Sequence, residues 1–216
     1  MRVRNSGSRA ALWGLLALCL ALGACQTLVK LKNEFDPRER PAEKEYRQAI
    51  APYLANGVIY HGPATELSIH ALALSRKVRL AMARRRAQAL SLTAGQAEKL
   101  RRDALAAGKG VIEIAASVFV PEQKWNDLGG PQPVWNIFIQ NRRGQRLYPL
   151  DRRRIKRRTP LAEALYPFWG QWDRLFRLKF PDHLPSGRPF LTPGEDHFRL
   201  VVSGAPGRTE LLLRWD

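Results

Sequence analysis

The chain has 216 residues, with 36 lysines and arginines against 19 aspartates and glutamates, a formal charge of +17 at pH 7. That length suits one domain with an insertion or two very small ones, and the positive surplus would attract phosphates, anionic lipids or acidic polymers without dictating a fold. The four histidines, His61, His70, His183 and His197, are scattered; there is no His-Glu-x-x-His spacing, no Gly-x-Ser-x-Gly elbow and no phosphate-cradling glycine loop with lysine, so those enzyme signatures are excluded.

At the N-terminus Arg2, Arg4 and Arg9 precede an apolar run from Ala10 to Leu22, which Leu22-Gly23-Ala24-Cys25 closes. This is the three-part build of a secretory signal. The rival reading, an uncleaved membrane helix, is opposed by a run shorter than the ~20 residues needed to cross a hydrocarbon core. The four closing residues resemble the lipobox of bacterial lipoproteins, with Gly23 where Ala, Ser or Thr is commoner. The resemblance implies that residues 1–24 are a signal peptide, that Cys25 is lipidated and becomes the first residue, and that its acyl chains attach the protein to a membrane. At ~0.8 kcal/mol per buried methylene, several such chains suffice without help from the folded part. Gln26, rather than Asp, follows Cys25, which by the same resemblance favours the periplasmic face of a Gram-negative outer membrane.

The only other cysteine, Cys19, would leave with the signal peptide, and Cys25 would be consumed by lipidation. The mature chain would then hold no free thiol and no disulfide, which excludes thiol catalysis and thiolate metal sites. Losing three arginines lowers the formal charge to +14 over 192 residues. Outside the cytoplasm, nucleic acid is not the expected partner.

Residues 25–41 are mixed and charged, with Pro37 and Pro41 as breakers, and read as a tether. Tyr46, Ile50, Tyr53 and Leu54 recur at helical spacing, Pro52 ends the regular part, and Asn56-Gly57 is expected to stop it. From Val58 the rhythm becomes that of strands: Val58-Ile59-Tyr60, a His61-Gly62-Pro63 turn, then Thr65, Leu67, Ile69, Ala71 and Ala73 alternating with polar residues. A helical hairpin is predicted over 76–108, its second helix opened by the capping box Thr93-Ala94-Gly95-Gln96.

The remainder reads as β. Ile112, Ile114, Ala116, Val118 and Val120 share one face, as do Trp135, Ile137 and Ile139. After the Asn141-Arg142-Arg143-Gly144 turn, Arg146 to Arg157 is expected to return as a hairpin partner. A helical turn at Leu161 to Leu165 precedes a strand in which Trp172, Phe176, Leu178 and Phe180 face one way, leaving Trp169 as an exposed ring. A Pro-rich loop leads to Phe198, Leu200 and Val202, then, past Ala205-Pro206-Gly207, to Leu211, Leu213 and Trp215. About seven strands without βαβ alternation predict a mainly β fold: an antiparallel, loosely immunoglobulin-like sandwich over 42–216, with the helical hairpin on one side and a short N-terminal helix.

Two basic clusters are the candidate sites: Arg76, Lys77, Arg79, Arg84, Arg85 and Arg86 on the first hairpin helix, and the run Arg152 to Arg158, where a strand would align Arg152, Arg154, Lys156 and Arg158. Such a ladder repels itself unless anions lie against it, and it equally serves to protect a sheet edge. The expected function is a lipid-anchored envelope accessory that docks on a protein assembly through this basic surface. The alternative is a module for an anionic envelope polymer or lipid headgroup. A hydrolase of envelope polymers would have to draw on Glu122, Asp127 and Asp182. No catalytic residue, metal site or cofactor is predicted.

Overall fold

A computed structural model describes residues 41–122, 125, 126, 128 and 134–216. Residues 1–24, read above as a signal peptide, Cys25, almost all of the segment 25–41 expected to be a tether, and Asp127 lie outside the described residues. The folded unit spans Ala42–Asp216.

Helix α1 (Pro41–Ile50) opens with proline, which costs a helix nothing in its first turn, and buries Tyr46 and Ile50; a 3-10 turn (Ala51–Tyr53) holding Pro52 ends it and buries Tyr53. The chain then enters β1 (Leu54–His61) directly. Asn56-Gly57 is therefore not a stop but part of a strand. The reason is tertiary: a Cβ on Gly57 would stand 2.5 Å from Thr209 Oγ1, so glycine admits the close approach of a strand from the other sheet. Gly62, with φ +57°, makes the turn into β2 (Ala64–Ala73).

Between β2 and β3 (Val111–Phe119) stand α2 (Arg76–Ala89) and α3 (Ala94–Ala106). Ser75 caps α2, its hydroxyl accepting from Val78 N, and α3 carries the capping box, Thr93 N donating to Gln96 Oε1 at 3.0 Å and Gln96 N to Thr93 Oγ1 at 3.4 Å. The further elements are β4 (Asn136–Gln140), β5 (Arg146–Leu147), β6 (Asp151–Ile155), α4 (Pro160–Leu165), β7 (Arg174–Pro181), β8 (His197–Gly204) and β9 (Gly207–Arg214).

Among the described residues these form nine strands in two sheets, in the orders β1-β2-β3-β7-β6 and β5-β4-β8-β9, every pair antiparallel. The sheets share one apolar core. Leu67, Ile69, Ile114, Val118, Phe176, Leu178 and Phe180 from the first meet Trp135, Ile137, Ile139, Phe198, Leu200, Val202, Leu211 and Leu213 from the second. Period-two alternation puts each set on one face.

Helices make a third layer. On the outer face of the five-stranded sheet, Leu72, Ala115 and Leu175 pack under Tyr46 and Ile50 of α1, Val78 of α2, Tyr166 and Trp169. That sheet is buried on both faces, which explains the near-continuous burial of β3 from Ile112 to Val118. The first helix of the hairpin contributes Val78 to this layer; α3 has no buried residue and lies against α2.

Two segments depart from expectation. Arg146 to Arg157 is not one hairpin strand: Arg146–Leu147 pairs with β4, then the chain changes sheets and Asp151–Ile155 pairs with β7. Trp172 does not share the face of Phe176. Gly170 N donates to Asp173 Oδ2, and Asp173 N to Gly170 O, closing a turn that takes Trp172 out of strand register and leaves it 72% exposed. Trp169 is the buried ring, its indole N–H donating to Asp173 O at 3.0 Å.

Candidate functional site

The basic residues of α2 separate by helical phase. Arg76, Lys77, Arg84 and Arg86 are exposed, Arg85 is half-buried, and Arg79 is buried beneath the hairpin. Lys77 pairs with Asp216 at 3.3 Å and Arg84 with Glu45 at 2.7 Å. Arg79 points the other way. Its Nη2 donates to Glu113 Oε2 at 2.8 Å, and Arg177 Nη2 stands 2.7 Å from the other carboxylate oxygen. That second contact is an ion pair without hydrogen-bond alignment, since Glu113 Oε1 and Arg177 Nε make no hydrogen bond. One buried carboxylate thus holds two guanidiniums, fixing α2 to β3 and β7. Gly108 permits it: a Cβ there would meet Arg79 Nε at 2.7 Å.

Sequence reasoning assigned Arg79 to a solvent-facing patch and passed over Glu113 and Arg177. A signal was present. Glu113 sits between Ile112 and Ile114, and an acid inside so apolar a strand has to find a cation when its face is covered.

The second cluster is not a four-residue ladder. Arg152 and Arg154 lie on β6, opposite Leu178 and Phe176 of β7, but Lys156 and Arg158 are past its end. Arg158 braces the chain around α4. Its Nε pairs with Glu163 at 2.6 Å, Nη1 and Nη2 donate to the carbonyls of Gly170 and Trp169, and the guanidinium stands 5.1 Å from the Trp169 ring centroid. Arg152 Nη1 reaches Leu128 O at 3.5 Å. Arg153, Arg154, Lys156 and Arg157 are exposed and form no ion pair among the described residues. The strand that carries Arg153 and Arg154, β6, ends its sheet.

The two clusters meet at one point. A cleft of about 340 Å³ holds Arg85 and Arg158 with Arg47, Glu43 and Glu163. Its acids are taken, Glu43 by Arg47 and Glu163 by Arg158.

The histidines stay apart. His183 Nδ1 lies 2.6 Å from Asp182, His197 Nδ1 lies 2.7 Å from Asp196, and His61 stands 4.0 Å from Glu66. The hydrogen bond from His197 holds the Asp196 carboxyl below its usual range. Among the described residues no group of three or more His, Cys, Asp or Glu is placed to hold a metal ion. Glu122 follows the end of β3 and Asp182 the end of β7. Because β3 and β7 are antiparallel, Val111 facing Pro181 and Val118 facing Arg174, these two carboxylates sit at opposite ends of the sheet. At ~3.3 Å per residue that is more than about 20 Å, beyond the ~5–10 Å spacing of a catalytic carboxylate pair.

Comparison with family models, with curated proteins and with solved structures finds no match to the chain.

Proposed function

We propose that this protein is a lipid-anchored accessory of a bacterial envelope, held by acyl chains on Cys25 at the periplasmic face of the outer membrane. Its domain, read as an immunoglobulin-like sandwich with helices on one face, docks on a protein assembly through the edge of β6. The observation that carries this reading is the group Arg153, Arg154, Lys156 and Arg157, unpaired among the described residues, on and just beyond a strand whose outer side no described strand pairs. Leu150, 69% exposed, and Tyr148 precede it and add apolar area. An extended acidic segment of a partner fits such an edge: its backbone takes up the free hydrogen bonds and its carboxylates meet the cations.

Crosslinking of the lipidated protein in its own membrane, followed by mass spectrometry, tests this. A reproducible protein adduct that disappears in R153E/R154E/K156E is the expected result. No adduct, or one that survives the substitutions, overturns the docking; if the protein instead co-sediments with an anionic polymer in a salt-sensitive way, the polymer or lipid-headgroup reading replaces it. Cys25→Ser should abolish lipid labelling and leave the precursor unprocessed, and labelling that persists refutes the anchor.

A further inference from the structure

A larger cleft, of about 720 Å³, opens at the end of the domain where β3 begins and β7 ends. We infer that it is a binding site for a small ligand carrying a phosphate or carboxylate group on an apolar body, the anion seated between Arg76 and Lys109. This is independent of the docking edge on β6.

The charge balance points to an anion. The cleft is lined by Arg76, Arg79, Lys109, His183, Asp182 and Asp216, among others. Asp216 is paired with Lys77 at 3.3 Å, while Asp182 lies 2.6 Å from His183, which would cancel its charge only as an imidazolium. Arg79 shares its only carboxylate with Arg177. Arg76 and Lys109 have no ion pair among the described residues. These two cations, above a buried group of two arginines and one glutamate, outnumber Asp182 and leave the cleft electropositive. The N-terminus of α2, where Arg76 is the first helical residue, adds to the same potential.

The walls point to an apolar body. Leu105, Val111, Ile112, Leu191 and Trp215 line the remainder. They are held in place: Trp215 N donates to Asp196 O at 2.6 Å and its ring meets Phe198 edge-on, while Phe190 N donates to Asp182 O at 2.8 Å and His183 bridges to Pro189. A half-open concavity of this size, with apolar walls and charged groups at its rim, is within the range of small-ligand sites.

The test is calorimetry on the full chain with three probes below their micelle concentrations: dodecyl phosphate, inorganic phosphate and the neutral dodecyl maltoside. Dodecyl phosphate should bind with heat, R76E/K109E should weaken it by about tenfold or more through loss of charge-assisted contacts, and Arg86→Glu, the same kind of charge reversal at a single exposed site of α2, should leave it unaltered. Leu191→Gln should weaken dodecyl phosphate and spare inorganic phosphate. The inference falls if dodecyl phosphate does not bind, if R76E/K109E binds it like the parent, or if dodecyl maltoside binds equally well. Inorganic phosphate binding as tightly as dodecyl phosphate would overturn the apolar half.

Discussion

Arg79 of α2 and Glu113 of β3 meet across 2.8 Å with side chains 8% and 2% exposed, and Arg177 approaches the same carboxylate. Removing Glu113 would leave a buried guanidinium uncompensated. Truncating one member of a buried pair costs about 3–5 kcal/mol, so Glu113→Ala should lose stability on that scale in chemical denaturation. Arg177→Met should cost less, because Arg177 retains 26% of its exposure to solvent. A Glu113→Ala protein within about 1 kcal/mol of the parent would show that the pair contributes nothing beyond packing.

The two tryptophans of the Phe168–Trp172 segment should respond in opposite ways. Trp169 is 7% exposed, packs beneath α4 and carries Arg158 on its ring, so Trp169→Ala should cost about 3–5 kcal/mol. Trp172→Ala should change stability by less than about 0.5 kcal/mol. Equal losses in the unfolding midpoint would contradict the turn that separates them.

Alkaline pH should destabilise the helical layer. The Tyr46 hydroxyl donates to Leu165 O at 2.6 Å, and burial, with Tyr166 adding to it and Arg85 opposing it, pushes its pKa above the ordinary tyrosine value; Tyr166 is raised as well, chiefly by burial. Unfolded tyrosines lose their protons near ~10. The stabilisation is therefore complete below that pH and declines as the pH rises above it, by at most about 1.4 kcal/mol per pH unit for each group. Urea midpoints measured from pH 8 to 11 should fall at the upper end, and Tyr46→Phe should flatten the fall. An unchanged slope in that variant would assign the effect elsewhere.

The loop before β8 should loosen in acid. Glu195 accepts from Thr192 N and Thr192 Oγ1, both at 2.8 Å, and these bonds, the backbone one foremost, with Arg143 beside them hold its pKa below the usual glutamate range. Its contribution is present above that range and is lost as the pH falls through the lowered value. The Thr192 amide resonance should titrate with a midpoint below ~4.3. Glu195→Gln should abolish that titration, and a midpoint at or above that value would refute the interaction.

Several elements were legible in the chain because local rules suffice for them. Thr93 and Gln96 announce a helix start by their spacing alone, and the alternations from Leu67 to Ala73 and from Ile112 to Val118 declare an inward face. What failed were places where a neighbour distant in sequence decides. Gly57 reads as a stop until Thr209 is known to lie against it. Trp172 reads as core until Asp173 turns the chain at Gly170, and Arg146 to Arg157 reads as one strand until the chain changes sheets between Leu147 and Asp151.

The basic residues draw the same line. Composition determined the positive excess and its clustering, since charge is a property of the residues themselves. Only the tertiary structure decided which charges are spent within the fold: Arg79 on Glu113, Arg158 on Glu163 and the Trp169 ring, Arg84 on Glu45, with Arg76, Lys109, Arg153 and Arg154 left without an ion pair among the described residues. Pairing depends on which acids long-range packing brings within about 4 Å, and burial on which face a helix or sheet covers, neither of which is encoded in the spacing of the arginines.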